Sequence, residues 1–317
     1  MPGAYAHMTL VNLLREPRRL EAIPAFSNEA ISAILEYFRF TELGAVSPDY
    51  PYLVIGDSDA VKWADTMHYT NTGAMIQTGV DILKRMDGED KRKGLAWLFG
   101  YAAHVAMDVT IHPIVELKVG KYNENKRAHR ECEMHQDAYI FQRLNLGEVG
   151  LSEHLDSGIA RCGELTDSHN LDAAIVTLWE ELLKRIHPEQ YRNNKPDVKR
   201  WHRCFMQVVD KIAEEGNHMS PLSRHVAVDI GLTYPAASKI NKKEYINKLQ
   251  ISHNIAPTTE VLSYDEIFDM TVNNVCGIWE IVSSGIFLDD TRYLTQIGEW
   301  DLDTGRNRQD DELVFWS

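Results

Sequence analysis

The sequence predicts an all-α fold, a multi-helix domain. Three observations carry that prediction. Strand-like alternation is nearly absent along the 317 residues. Several long segments repeat apolar residues at helical spacing. The most apolar of them, Gly100 to Pro113, carries polar groups at helical intervals, with His104, Asp108 and His112 at i, i+4 and i+8. At about 100° per residue these positions drift only about 40° per step, so the three side chains share one stripe. Their neighbours Val105, Ala106, Met107, Val109 and Ile111 are apolar. Two imidazoles and a carboxylate in apolar surroundings are costly unless something pairs with them. Divalent zinc supplies a partner, taking His nitrogen and carboxylate oxygen at about 2.0–2.2 Å. Pro113 is expected to end or kink the helix just after His112, turning that side chain toward a different ion.

The elements follow in order. Residues 8–22 and 28–39 read as short helices, the second with Ser27 or Asn28 as N-cap and Ile31, Ile34, Leu35 and Phe38 as its apolar positions. Residues 44–53 form a loop in which Pro48 and Pro51 bracket Asp49, stiff enough to hold that carboxylate in one place. Residues 54–66 are polar and turn-rich, and a helix is expected from His68 to about Met86. After a break at 87–90, the His104 helix is expected from Lys91. A second break at 120–123 precedes a helix over 125–144 with His129, Glu133 and Asp137 at i, i+4 and i+8. Further helices are predicted at 171–186, 197–215 and 265–287; residues 216–260 are mixed, 300–305 loop-like and 306–312 polar and frayed. Trp97, Phe99 and Tyr101 read as core, and the basic stretch 195–203 as a solvated helix face. No repeat, low-complexity tract or linker divides the chain, so residues 1–317 are read as a single all-α domain, with metal ligands in 1–145 and a helical C-terminal half, 146–317.

Composition narrows the functions. A net charge of −14 argues against stable nucleic-acid binding and allows at most peripheral membrane contact. The four cysteines are scattered, without a CxxC pair, and fit free thiols in a reducing compartment. No run of 18 apolar residues occurs. No basic region followed by an apolar core follows Met1, so the expected location is cytoplasmic.

Six of the 13 histidines precede residue 136. The candidate ligands are His7, Asp49, His68, His104, Asp108, His112, His129 and Glu133. A set rich in His and carboxylate and without cysteine suits a hydrolytic site better than a structural zinc, which thiolates commonly close. Taken alone, His129 and Glu133 read as a surface helix pair, and Asp49 as a turn residue. In order, Ala6-His7, Pro48-Asp49-Tyr50-Pro51, His68, His104-x3-Asp108-x3-His112 and Ala128-His129-x3-Glu133 resemble the zinc-dependent phospholipase C family. That family is related to the zinc-dependent single-strand nucleases and to glycosylphosphatidylinositol-specific phospholipase D. The spacing from Asp108 to His112 is closer to the phospholipase D-like branch than to the bacterial phospholipases C.

The resemblance implies an all-helical protein holding two to three zinc ions in one cleft. It assigns the first ion to Asp49, His68, His104 and Asp108, and a second to His112, His129 and Glu133. A third, bridged by Asp108, would take His7 and the amine and carbonyl of the mature N-terminal residue. Pro2 lies five positions before His7, the interval found in several related secreted enzymes, so Pro2 is the expected ligand once Met1 is removed. The implied activity is hydrolysis of a phosphoester in a phospholipid or small phosphodiester. Water on zinc drops to a pKa near 7 and attacks phosphorus, with Asp49 as the group that orients or deprotonates it. Two alternatives stand beside this reading: a nuclease or nucleotidase on the same metals, and a non-catalytic binding protein whose helices zinc staples together. Mn²⁺ or Fe²⁺ would also suit such ligands, and the oligomeric state is left open.

Overall fold

A computed structural model describes residues 3–147, 158–215, 234–251 and 260–316. The described residues are helical apart from loops and three two-stranded antiparallel hairpins. Helices α1 (Ala4–Leu14), α2 (Pro17–Glu21), α3 (Asn28–Glu36) and α4 (Phe38–Val46) open the chain. A 3-10 turn, Ser47–Leu53, leads to α5 (Ser58–Tyr69) and α6 (Thr72–Leu83). Next come α7 (Gly88–Val119) and α8 (Tyr122–Ile140). The hairpin β1 (Gly163–Glu164) and β2 (Asp167–Leu171) precedes α9 (Ala173–Ile186) and α10 (Val198–Glu215). The hairpin β3 (Leu249–Ile251) and β4 (Glu260–Leu262) leads into α11 (Tyr264–Phe287), and β5 (Trp300–Asp301) pairs with β6 (Arg306–Asn307) near the end.

Helix α7 is the axis of the molecule. Every residue from Gly94 to Val115 is buried. It packs most extensively against α4 and α11 and also meets α1, α3, α6, α8 and α9. By length and composition α7 could cross a membrane, with a mean hydropathy of 1.2 over its most apolar window, but that window is wholly buried inside the protein. A helix apolar on all sides is what a core position demands. Trp97, Phe99 and Tyr101 are core, and the Trp97 indole donates to Ser47 Oγ at 2.9 Å.

Several boundaries differ from the sequence expectations for physical reasons. The helix expected over 8–22 is two helices, interrupted before Pro17, which occupies a first-turn position that needs no N–H. Residues 58–66, read as turn-rich, are helical. Asp57 caps α5 by accepting from Asp59 N and Ala60 N, and Ala60, Trp63, Ala64, Met67 and His68 form its buried face. His68 therefore ends a helix rather than starting one, and Asn71 at φ 55° separates α5 from α6. Pro113 does not end α7, which continues to Val119. Residue 125 lies at non-helical dihedrals inside α8, and residues 141–144 are a 3-10 turn. Residues 306–312, expected to fray, belong to the β5–β6 hairpin region, which Leu313 and Trp316 anchor from buried positions. Ser27 is the cap of α3, accepting from Glu29 N. The basic residues Lys199 and Arg200 are exposed while Val198 and Trp201 face the core.

Candidate metal centre

Five of the predicted ligands converge from four elements. His7 comes from α1, Asp49 from the 3-10 turn, His68 from the end of α5, and His104 and Asp108 from α7. Two overlapping groups have ligand atoms within 4.8 Å of one another: His7, His104 and Asp108, and Asp49, His68 and His104. His7 Nε2 lies 3.1 Å from Asp108 Oδ1, His104 Nε2 3.2 Å from Asp108 Oδ2, and His68 Nε2 3.3 Å from Asp49 Oδ1. None of these close contacts is aligned as a hydrogen bond, so the nitrogens and oxygens remain unpartnered although buried. The same holds for His112 Nε2. Buried nitrogens and carboxylate oxygens that converge without hydrogen-bonding geometry define a common point for a ligand. A divalent cation satisfies such donors, and the His and carboxylate chemistry fits zinc.

Backbone carbonyls set the imidazoles. His68 Nδ1 pairs with Ala64 O at 2.7 Å, His104 Nδ1 with Ala45 O at 2.8 Å, and His112 Nδ1 with Leu302 O. Each ring thereby donates through Nδ1 and aims Nε2 away from the backbone, the orientation a metal requires once Nε2 has given up any proton. The Ala45 contact depends on two glycines. A Cβ on Gly44 would stand 2.1 Å from Trp97 O, and one on Gly100 2.0 Å from Thr41 O, so α4 and α7 touch backbone to backbone. That approach brings the Ala45 carbonyl within reach of His104.

Asp137, on α8, accepts from the backbone N–H groups of Tyr5 and Ala6 at 3.1 Å each. It caps the first turn of the helix that carries His7. Burial pushes its carboxyl up to about 8 despite those donors. His135, also on α8, accepts from Asn241 N and stacks on Tyr245.

Without a metal the cluster is a tightly coupled set of charges. Burial disfavours an imidazolium at His68, but Asp49 and Asp108 outweigh it and raise its pKa to about 9. Burial likewise works against ionised Asp108, yet His104 and His112 hold it well below the usual carboxylate range. His7 is lowered by burial and by His104, and His112 is lowered well below its ordinary value, chiefly by burial. Asp49 is also held below the carboxylate range, since His68 and His104 overcome the cost of its burial.

The remaining predicted ligands are placed differently. His112, His129 and Glu133 are buried, but among the described residues they do not form a three-ligand group. His129 turns Nε2 to the Gly120 carbonyl and packs against the edge of Tyr122. Burial raises the Glu133 carboxyl. Pro2 lies outside the described residues.

A cleft of about 1100 Å³ is lined by Tyr52, Tyr69, Tyr122, Pro113, Asp303 and Lys126 among others; it meets the cluster through Tyr52 and Tyr69, and none of the five converging ligands lines it. The rings of Tyr52 and Tyr69 lie 5.8 and 6.2 Å from that of His68. Tyr52 donates to Asp65 at 2.7 Å and Tyr69 to Asp303 at 2.5 Å, which fixes both rings. Sequence reasoning missed Ala45, Leu302 and Asp303 as parts of the site. A backbone carbonyl leaves no signature in residue type, and only the Ala64 carbonyl, one helical turn before His68, follows from local geometry.

Comparison with curated proteins and with solved structures finds no match. Residues 6–189, more than half of the chain, match the family described as zinc dependent phospholipase C. That span contains every candidate ligand from His7 to Glu133. The chain belongs to the zinc-dependent phospholipase C family.

Proposed function

We propose that this chain is a phosphoester hydrolase that uses two to three zinc ions and acts on a phospholipid or a related small phosphodiester. The observation that carries the reading is the convergence of buried, unpartnered ligand atoms of His7, Asp49, His68, His104 and Asp108 beside an open cleft. A protein in which zinc only staples helices needs no cleft at its metal cluster, so the cleft favours catalysis.

Asp49, His68, His104 and Asp108 would hold one ion, and His7 together with Asp108 would hold another. Asp108, with both oxygens bare, suits a bridging role. His112, with His129 and Glu133, completes the proposed ligand set, with Pro2 as the N-terminal member. Bound zinc supplies Lewis acidity toward phosphoryl oxygens and makes water acidic enough to ionise near neutral pH. Asp49 is the cluster member nearest solvent, with 21% of its side chain exposed against 1% or less for His7, His68, His104 and Asp108. Its carboxylate, held ionised by His68 and His104, would orient the attacking water as a hydrogen-bond acceptor, and its place at the solvent edge of the cluster makes it the candidate to take the proton. The tyrosines of the cleft provide a wall against which the rest of the substrate lies.

The test is zinc content by mass spectrometry together with hydrolysis of bis(p-nitrophenyl) phosphate and of phospholipid and nucleotide panels. Two to three zinc per chain are expected. Asp108→Asn is expected to lose zinc and to reduce turnover by at least about 100-fold, as removal of a charged ligand does. Zinc bound without turnover on any phosphoester would favour the staple, and turnover confined to nucleotides would favour the nucleotidase.

A further inference from the structure

The family match ends at residue 189, yet one of the metal-facing imidazoles is oriented from the far end of the chain. Residues 298–316 lie along the C-terminal part of α7 and are tied at several points to it and to the neighbouring α5 and α6. Thr72 Oγ1 donates to Trp300 O at 2.7 Å and accepts from Trp300 N at 2.9 Å. Leu302 N donates to His68 O at 3.1 Å, while Leu302 O accepts from His112 Nδ1. One buried residue thus bridges the helices that carry two candidate ligands. Farther along, the Trp316 indole donates to Thr110 O at 2.8 Å. Gly305, at φ +67°, rests on Val109 O and Pro113, where a Cβ would come within 2.5 Å of both. Val109 is the carbonyl that the missing N–H of Pro113 leaves without its helical donor. The segment therefore covers the interrupted part of α7 next to His112.

Asp303 anchors the turn. Its backbone N–H donates to Asp301 Oδ1, its Oδ2 accepts from Tyr69 at 2.5 Å, and its Oδ1 stands 3.8 Å from His112 Nδ1.

We propose that residues 298–316 are a strap that sets the ring of His112 for metal, with the Leu302 carbonyl as acceptor and Asp303 as the positioning residue that holds the turn in place. This rests on the reading of His112 as a ligand. An imidazole whose Nδ1–H is fixed by an oxygen loses rotational freedom and exposes Nε2, and removing such an outer partner typically weakens metal binding by about 10–100-fold.

The experiment measures zinc affinity by competition with a chromophoric chelator, and the histidine side-chain ¹⁵N–¹H correlations of the zinc-free protein. The proteins are the full chain and its Asp303→Ala, Asp303→Asn, Thr72→Val and His112→Ala variants, each checked for folding by a zinc-free thermal melt. Asp303→Ala and Thr72→Val each disturb the strap from a different side, so either can decide the matter if the other fails to fold. Both are expected to weaken at least one zinc by about 10–100-fold and to abolish the single-tautomer pattern of His112. Asp303→Asn retains an oxygen for Tyr69 and is expected to stay within about threefold of the unaltered chain. Unchanged zinc affinity and an unchanged His112 tautomer in both strap variants, with zinc lost from His112→Ala, would overturn the strap and leave the metal reading standing. Full zinc retention by His112→Ala would instead remove His112 from the ligand set.

Discussion

At His68 two opposing effects have a definite winner. Burial alone would push the imidazole toward neutrality, but Asp49 and Asp108 face it and raise its pKa to about 9. In the zinc-free protein this group adds stability that is fully present below its unfolded value near 6.5 and is lost as the pH rises through about 9. Zinc needs the neutral ring, so binding must expel that proton. Calorimetric titration of zinc at pH 7.5 in buffers of different ionisation enthalpy is expected to show release of about one proton or more per chain, with affinity rising toward pH 9. A titration with no proton release would contradict the charge pattern of the cluster. The carbonyls behind the three imidazoles belong to the same scale: without Ala64, Ala45 and Leu302 each ring would be free to turn Nε2 away.

The α4–α7 crossing decides whether His104 is aimed. Its two glycines remove the side chains that would hold the helices apart, and a Cβ at position 100 would press on Thr41 O at 2.0 Å. Gly100→Ala is expected to cost about 1–3 kcal/mol in denaturant unfolding of the zinc-free protein, the range of overpacked cores, and to weaken zinc binding as well. Gly277→Ala on α11 is the matched control. No heavy atom lies within 4 Å of its would-be Cβ, so the substitution is expected to be neutral or to stabilise by up to about 1 kcal/mol. Equal effects of the two would show that the crossing does not depend on close approach. Helix α7 itself was legible from its apolar run, but its passage through Pro113 was not, because the cover over Val109 comes from Gly305, nearly 200 residues away.

For the whole molecule, a single apolar core is in place without any metal contact among its members. The buried apolar residues run from Tyr5 through Trp316, with α7 at their centre. A chelator-treated protein is therefore expected to keep its helical far-ultraviolet spectrum while its melting temperature falls. A free zinc concentration 100 times the dissociation constant contributes about 2.7 kcal/mol per site. Loss of helicity on chelation would mean that zinc is needed to fold the chain. Coupling between the strap and the site also belongs to this scale, since Leu302 joins α5 to α7 only when the C-terminal segment has folded back across them.

The helical class, the apolar character of α7, and the ligand types with their order are all legible in the residues. These depend on periodicity and residue chemistry, which are local. His104 and Asp108 follow from a four-residue interval on one helix. Their convergence with His7, Asp49 and His68 was legible only through the family resemblance. Tertiary structure alone decided the rest. The Ala45 carbonyl on α4 oriented His104, Asp137 capped α1 from across the chain, and the β5–β6 hairpin oriented His112. The physical reason is common to these long-range contacts. A backbone N–H or carbonyl is the same group in nearly every residue, so the partner it finds is set by where the folded chain brings it, not by the letter at that position.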